Sequence, residues 1–157
     1  MFTETASGWR QVAELKGSDT VASDGFGSSV AISGTTAIVS AQGYAKGLGR
    51  AYVFTKTGAG WKQTAELKGS HMGLFGNSVA ISGTTAVVSA TAYESYSPNV
   101  IGRAYVFAKT ATGWKQIAEL KGPHTGLFGN SVAISGMTVM VGAPDANNAG
   151  RTYVFEA

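Results

Sequence analysis

One nine-residue phrase is written three times along the chain. It reads Phe26-Gly27-Ser28-Ser29-Val30-Ala31-Ile32-Ser33-Gly34, then Phe75-Gly76-Asn77-Ser78-Val79-Ala80-Ile81-Ser82-Gly83, then Phe128-Gly129-Asn130-Ser131-Val132-Ala133-Ile134-Ser135-Gly136. A period of roughly fifty residues means stacked supersecondary units, each burying its apolar face against its neighbours. No other feature constrains the fold as strongly.

Each repeat reads as four short strands. The segment Gly8–Gly17 alternates Trp9, Gln11, Ala13 and Leu15 with Arg10, Val12, Glu14 and Lys16. That period of two marks a strand with one charged face. It returns at Gly60–Gly69 and Gly113–Gly122, headed by Trp61 and Trp114. The Phe-Gly phrase supplies a Val-Ala-Ile strand, and Ser33-Gly34-Thr35-Thr36 turns it into Ala37-Ile38-Val39-Ser40-Ala41. Arg50–Phe54 is the next strand, repeated at Arg103–Phe107 and Arg151–Phe155. Met1–Ser7 shows no pattern, and no segment holds a 3.6-residue apolar period, so no helix is expected. Four antiparallel strands per repeat form the blade of a β-propeller. The expected fold is therefore all-β, one domain over 1–157, with repeats at about 8–60, 61–113 and 114–157. Charges along the Trp strand suit an outermost position, where they discourage edge pairing.

Composition limits the function classes. Charged residues are only 13% against 44% hydrophobic, which argues against disorder. The net charge of +3 is scattered, so nucleic acid is not an expected partner. No apolar run approaches the ~20 residues of a membrane span, so no membrane insertion is expected, and no signal peptide is visible. Cysteine is absent, which excludes disulfides and thiolate metal sites. No nucleophilic elbow or phosphate-cradling loop occurs, and the two histidines lie in matching turns of separate repeats, so no enzyme is expected. Asp19, His71 and His124 are equivalent positions on neighbouring blades, spaced too far apart to share one metal ion.

The Phe-Gly start, Gly142-Ala143-Pro144 and the Tyr-Val-Phe strand resemble FG-GAP repeats, the units of integrin-α-type propellers and of many bacterial surface proteins. The resemblance implies a strand order from the Phe-Gly strand inward to the Trp strand outward, and an extracellular or cell-surface location. The family's acidic calcium loop is replaced here by Ser-Gly-Thr-Thr or Ser-Gly-Met-Thr. These turns lack the carboxylates a hard cation needs, so no calcium or other cofactor is expected.

Propellers close with about four to eight blades. Three repeats, beginning on a Trp strand and ending on a third strand, fit closure as a six-bladed ring of two chains, with each 8–17 strand completing the partner's last blade. A longer propeller or an open stack are the alternatives.

Loop lengths vary on one side of the repeats only: 18–25, 70–74 and 123–127, and 42–48, 91–101 and 144–149. That side is the candidate binding surface for a glycan or a protein partner. Tyr44, Tyr93 and Tyr96 offer stacking faces, or else pack over the blade ends. Asp145, Asn147 and Asn148 offer hydrogen bonds, or else simply form turns. Arg50, Arg103 and Arg151 form an anion-binding arc, or else pair with Glu14, Glu66 and Glu119. A binding module and a structural assembly protein are the two functions left standing.

Overall fold

Short strands and tight turns dominate the computed structural model, which describes residues 1–71, 73–91, 102–123 and 126–156. The strands are β1 (Phe2–Thr5), β2 (Gly8–Gln11), β3 (Phe26–Ser33), β4 (Thr36–Ala41), β5 (Arg50–Thr57) and β6 (Gly60–Leu67), followed by β7 (Phe75–Ser82), β8 (Thr85–Ala90), β9 (Arg103–Thr110) and β10 (Gly113–Lys121), and then β11 (Ser131–Ser135), β12 (Thr138–Ala143) and β13 (Arg151–Glu156). They form antiparallel sheets in the orders β3-β4-β5-β6, β7-β8-β9-β10 and β11-β12-β13. This is the strand order of propeller blades, two of them four-stranded and the last three-stranded.

The middle strands β8 and β9 are buried on both faces because the second sheet lies between the other two. Ile38 and Val53 of the first sheet pack with Phe75, Val79 and Tyr105 of the second. Val87 and Val106 of the second pack with Phe128, Val139 and Val141 of the third. Within each sheet the phenylalanine of the repeated phrase packs against two aromatics: Phe75 lies 5.6 Å from Tyr105, tilted, and 6.1 Å from Phe107, edge-on, between ring centres.

The Phe-Gly phrase enters its sheet through a bulge. Phe75 pairs with Ala90 and Val79 with Val88, so the residues between do not match one to one. Gly76 takes the positive φ (+93°) that this kink requires. The bulge leaves an amide without a ladder partner, and the buried Ser89 hydroxyl accepts from Ser78 N at 3.0 Å. Ser40 does the same for Ser29 N.

Serines also stitch one sheet to the next. Ser29 Oγ accepts from Val79 N at 3.1 Å, and Ser78 Oγ accepts from Val132 N at 3.2 Å. Ser33 and Ser82 repeat the device with Gly83 N and Gly136 N. The serines of the repeated phrase are therefore structural hydrogen-bonding groups.

Three expectations need correction. Met1–Ser7 is patterned: Phe2–Thr5 is β1 and pairs with β2, Phe2 opposite Gln11 and Thr5 opposite Gly8. This hairpin copies the ones that close the first two four-stranded sheets, down to the threonine cap. Thr5 Oγ1 donates to Gly8 O as Thr57 does to Gly60 O and Thr110 to Gly113 O. The expected strand over 8–17 is regular only from Gly8 to Gln11, where it pairs with β1. Helical structure is also present, as single turns at Tyr44–Gly47 and Ala146–Asn148. Each contains left-handed residues (Ala45, Lys46; Asn147), and pieces this short carry no apolar period to read.

Candidate functional site

The described variable loops 18–25, 42–48 and 144–149 and the starts of β5, β9 and β13 meet at one end of the three sheets. Each third strand begins with an arginine, followed two residues on by a tyrosine, so both side chains point to the same face. Register then places a glutamate of the fourth strand beside them: Tyr52 is opposite Glu66 and Tyr105 opposite Glu119.

In the first sheet these residues close into a polar cluster. Arg50 Nη1 lies 2.7 Å from Asp19 Oδ2 and 2.8 Å from Glu66 Oε2. Its guanidinium carbon stands 3.9 Å from the centre of the Tyr44 ring, a cation–π contact. Tyr44 donates to Asp19 Oδ2 at 2.9 Å and Tyr52 to Asp19 Oδ1 at 2.7 Å. The Tyr52 hydrogen bond, joined by those of Tyr44 and the charge of Arg50, holds the Asp19 carboxyl below its usual range despite some desolvation. The Tyr52 hydroxyl is pushed well above the ordinary phenol value, by burial first and by Asp19 second.

The second sheet repeats the cluster with substitutions. Arg103 Nε lies 2.6 Å from Glu119 Oε1, close enough to pair the charges although the N–H is not aimed at the oxygen. Lys121 Nζ is 3.4 Å from the same oxygen. Desolvation works to raise the Glu119 carboxyl, and Lys121, Arg103 and His71 outweigh it, so the group is held low. His71 stands where Asp19 stands in the first sheet; its Nδ1 faces Ser70 Oγ at 2.9 Å and Tyr105 Oη at 3.4 Å. In the third sheet Arg151 is exposed. With the Asn147 amide oxygen facing the guanidinium, Asn147 accepts from Arg151 Nε and Nη2 at 3.2 Å each.

The candidate residues are thus sorted by position. Arg50, Arg103 and Arg151 head their sheets, the first two engaged by carboxylates and the third by an amide. Tyr44 lies flat on Arg50 with its hydroxyl used. Asn147 and Asn148 adopt left-handed backbone in the turn that Asp145 opens, with Asn148 N donating to Asp145 O. Tyr93, Tyr96 and His124 lie outside the described residues. Asp19 and His71 belong to separate clusters, and among the described residues no three acidic, histidine or cysteine side chains gather as metal ligands.

Two concavities accompany these clusters. A groove of about 210 Å³ runs between the first and second sheets at the variable-loop end, lined by Tyr44, Leu48, Arg50, Lys68, Ser70 and His71. Lys68 and Ser70 were not singled out by the sequence; their signal is position alone, the loop that joins one repeat to the next. A second concavity, of about 330 Å³, lies on the third sheet among Asn130, Ser131, Gly142, Ala143, Gly150 and Arg151.

A family model for the FG-GAP repeat matches three stretches of the chain, 9–54, 61–107 and 122–155. The chain belongs to the FG-GAP repeat family. Each match runs from the outer strand, or the link after it, through the Phe-Gly strand to the Tyr-Val-Phe strand, so the matched unit is offset by one strand from the sheet: β6 closes the first sheet but falls in the second match. None of the curated proteins compared matches the chain. No helix among the described residues is long and apolar enough to cross a membrane.

Proposed function

We propose that this FG-GAP protein is a non-catalytic β-propeller-type binding module, working outside the cell or at its surface, that recognises a protein or a glycan through its variable-loop end. The observation that carries this reading is the groove between the first and second sheets. Its walls combine an aromatic face, two cationic groups and a hydroxyl, with Arg50 and Tyr44 already held in place. Preorganised groups of this kind recognise a ligand at small entropic cost. Chemistry has less support. Ser70, Tyr105 and Glu119 all face the same nitrogen of His71, whereas a general base needs one nitrogen for the nucleophile and the other for an orienting acid.

The test is an array of glycans and surface proteins probed with the chain and with Lys68→Ala and Tyr44→Ala. Saturable binding that weakens about tenfold or more in either variant, the loss of one hot-spot contact, supports the module. Binding that is unchanged in both moves the site elsewhere.

A second reading, assembly, is favoured by the outer faces of the first and third sheets. Met140 and Val154 are 44% and 58% exposed, whereas their second-sheet counterparts Val87 and Val106 are 0% and 7% exposed under the following sheet. Val30 is 66% exposed where its counterpart Val79 is 6%. Two copies stacked end on end would cover both faces and close a six-bladed ring. β1 already holds β2, so the strand left open beside the partner's β13 is Glu14–Leu15, at the places of Glu66 and Leu67. A solution mass near twice 16.1 kDa supports the ring, a large polydisperse mass an open stack, and a monomer neither.

A further inference from the structure

We propose that the concavity on the third sheet is the seat of a Phe-Gly turn, and that its occupant is Phe26–Gly27 of a second copy of this chain. The proposal rests on the assembly reading and names the contact that would carry it.

The two seats inside the chain show what a seat is made of. Gly49 is the floor of the first. It bridges to Phe75, whose N–H reaches Leu48 O at 3.3 Å, and a Cβ on Gly49 would fall on the Phe75 carbonyl. Gly102 lies beneath the Phe128 carbonyl in the same way. The wall is the backbone of the arginine with the serine of the second strand. A Cβ on Gly76 would lie 2.7 Å from Ser40 Cβ and 3.1 Å from Arg50 O, and one on Gly129 would lie 2.9 Å from Arg103 O and 3.1 Å from Ser89 Cβ. A clamp completes the second seat: Asn77 Nδ2 donates to Gly129 O at 3.2 Å and to Asn130 O at 2.9 Å.

The third sheet presents the same parts with no following sheet against them among the described residues, although Pro144 O would lie 2.7 Å from a Cβ on Gly150. Gly150 (φ +71°) stands at the place of Gly49 (φ +75°), Arg151 at that of Arg50, Gly142 at that of Ser40, and Asn130 at that of Asn77. Together they line the 330 Å³ concavity. Asn130 is exposed where Asn77 is half-buried.

The first sheet presents the matching turn with nothing against it. Gly27 has φ +96°, close to +93° at Gly76 and +90° at Gly129. Gly76 and Gly129 are buried against the preceding sheet, whereas Gly27 is exposed and a Cβ there would meet no atom within 4 Å. The Phe26 ring is already placed in its own sheet, 5.6 Å from Tyr52, as Phe75 is. The turn is therefore formed before it docks, and only its outer, backbone side is vacant.

Continuing the internal interface gives the register. Phe26 pairs with the partner's Gly150, the Asn130 amide donates to the carbonyls of Gly27 and Ser28, and Ser135 Oγ accepts from Gly34 N as Ser82 Oγ does from Gly136 N. The contact is heterologous, with different surfaces on the two copies, so it closes with two copies or runs on as a stack.

Because the chain contains no cysteine, single cysteines report the contact cleanly. Ser28→Cys and Asn130→Cys, both at exposed positions, are mixed and treated with a short bismaleimide. The expected result is a cross-linked dimer in the mixture and none in either variant alone. Asn130→Arg, which fills the seat without touching the sheet's interior, is expected to reduce the wild-type mass to 16.1 kDa with its far-ultraviolet circular dichroism unchanged. A monomeric wild type overturns both the seat and the assembly reading. An assembled wild type that gives no mixed cross-link and is indifferent to Asn130→Arg overturns the seat and leaves the assembly reading standing.

Discussion

The Tyr52 hydroxyl donates to Asp19 Oδ1 across 2.7 Å, tying a central strand of the first sheet to the loop that precedes it. The tyrosine ring is fully buried and its oxygen reaches out to a carboxylate at the sheet's end. This bond makes the first cluster one unit, because Asp19 also holds Tyr44 and Arg50. It carries consequences at both ends of the pH scale.

At alkaline pH the phenol decides. Tyr52 stays protonated in the fold well beyond its ordinary range, owing to burial and then to Asp19. Burial, first among the causes, also raises Tyr105. In the unfolded chain both ionise near pH 10. The raised folded values give stability that is complete below about pH 10 and is lost as the pH climbs through them. Tyr52→Phe, combined with Tyr105→Phe, is expected to flatten that limb, read as the urea midpoint at successive pH values. An unchanged alkaline slope would sink the assignment.

At acid pH the carboxylates decide. Asp19 is held low, chiefly by Tyr52, and Glu119 is held low by Lys121, Arg103 and His71 against its own desolvation. Depressed folded values give stability that is present above the ordinary carboxylate range and is lost as the pH falls below about 4. Asp19→Asn is expected to lower the urea midpoint at neutral pH and to remove part of the acid slope. A midpoint that keeps the wild-type profile would show that the cluster contributes nothing to folding.

The buried Ser89 hydroxyl is the partner of an amide that the bulge at Gly76 strands. Ser89→Ala leaves Ser78 N without an acceptor and is expected to cost about 1–3 kcal/mol, the penalty for a buried unsatisfied donor. Ser40→Ala is expected to act alike in the first sheet. Chemical denaturation measures both, and a loss below about 0.5 kcal/mol would mean that water takes the place of the hydroxyl.

Gly102 marks where the third sheet is seated on the second. A methyl group there would occupy the Phe128 carbonyl oxygen, so Gly102→Ala is expected to cost about 1–3 kcal/mol or more through backbone displacement. Gly58→Ala is the control: nothing lies within 4 Å of its Cβ and it should change stability by less than about 0.5 kcal/mol. Amide exchange should locate the damage in β11–β13. Equal effects from the two substitutions would contradict the seating.

The repeat made the sheets legible. Three copies of Phe-Gly-x-Ser-Val-Ala-Ile-Ser-Gly, each followed by a β-branched run and a Tyr-Val-Phe run, fix strand number and order, because a period-two pattern leaves each strand one pair of faces. The N-terminal hairpin is less legible. Phe2-Thr3-Glu4-Thr5 before Gly8-Trp9 copies Phe54-Thr55-Lys56-Thr57 before Gly60-Trp61, but the copy is too short to show an alternation of its own. The helical turns at Tyr44 and Ala146 had no signal to read, since their left-handed residues are set by the loop ends they join.

The candidate site divides in the same way. That Arg50, Arg103 and Arg151 share a place was evident from spacing. Which partner each one takes was not. Asp19 reaches Arg50 from a loop 31 residues upstream, and Asn147 stands in for a carboxylate at Arg151. Such pairings depend on where loops of unequal length bring their tips, and local propensity carries no information about that.

What the sequence alone determined is the unit: its strands, its turns and the glycines that permit a sheet to lie against the next. A periodic pattern suffices for this because backbone pairing and face alternation act over a few residues at a time. What the tertiary structure decided is the state of the two ends. Only the packing of one sheet on another distinguishes Gly76, pressed against Ser40, from Gly27, which meets nothing, although the two glycines share a phrase and a backbone conformation. The reason is physical: burial is a property of neighbours, and identical residues in identical strands differ once one has a neighbour and the other does not.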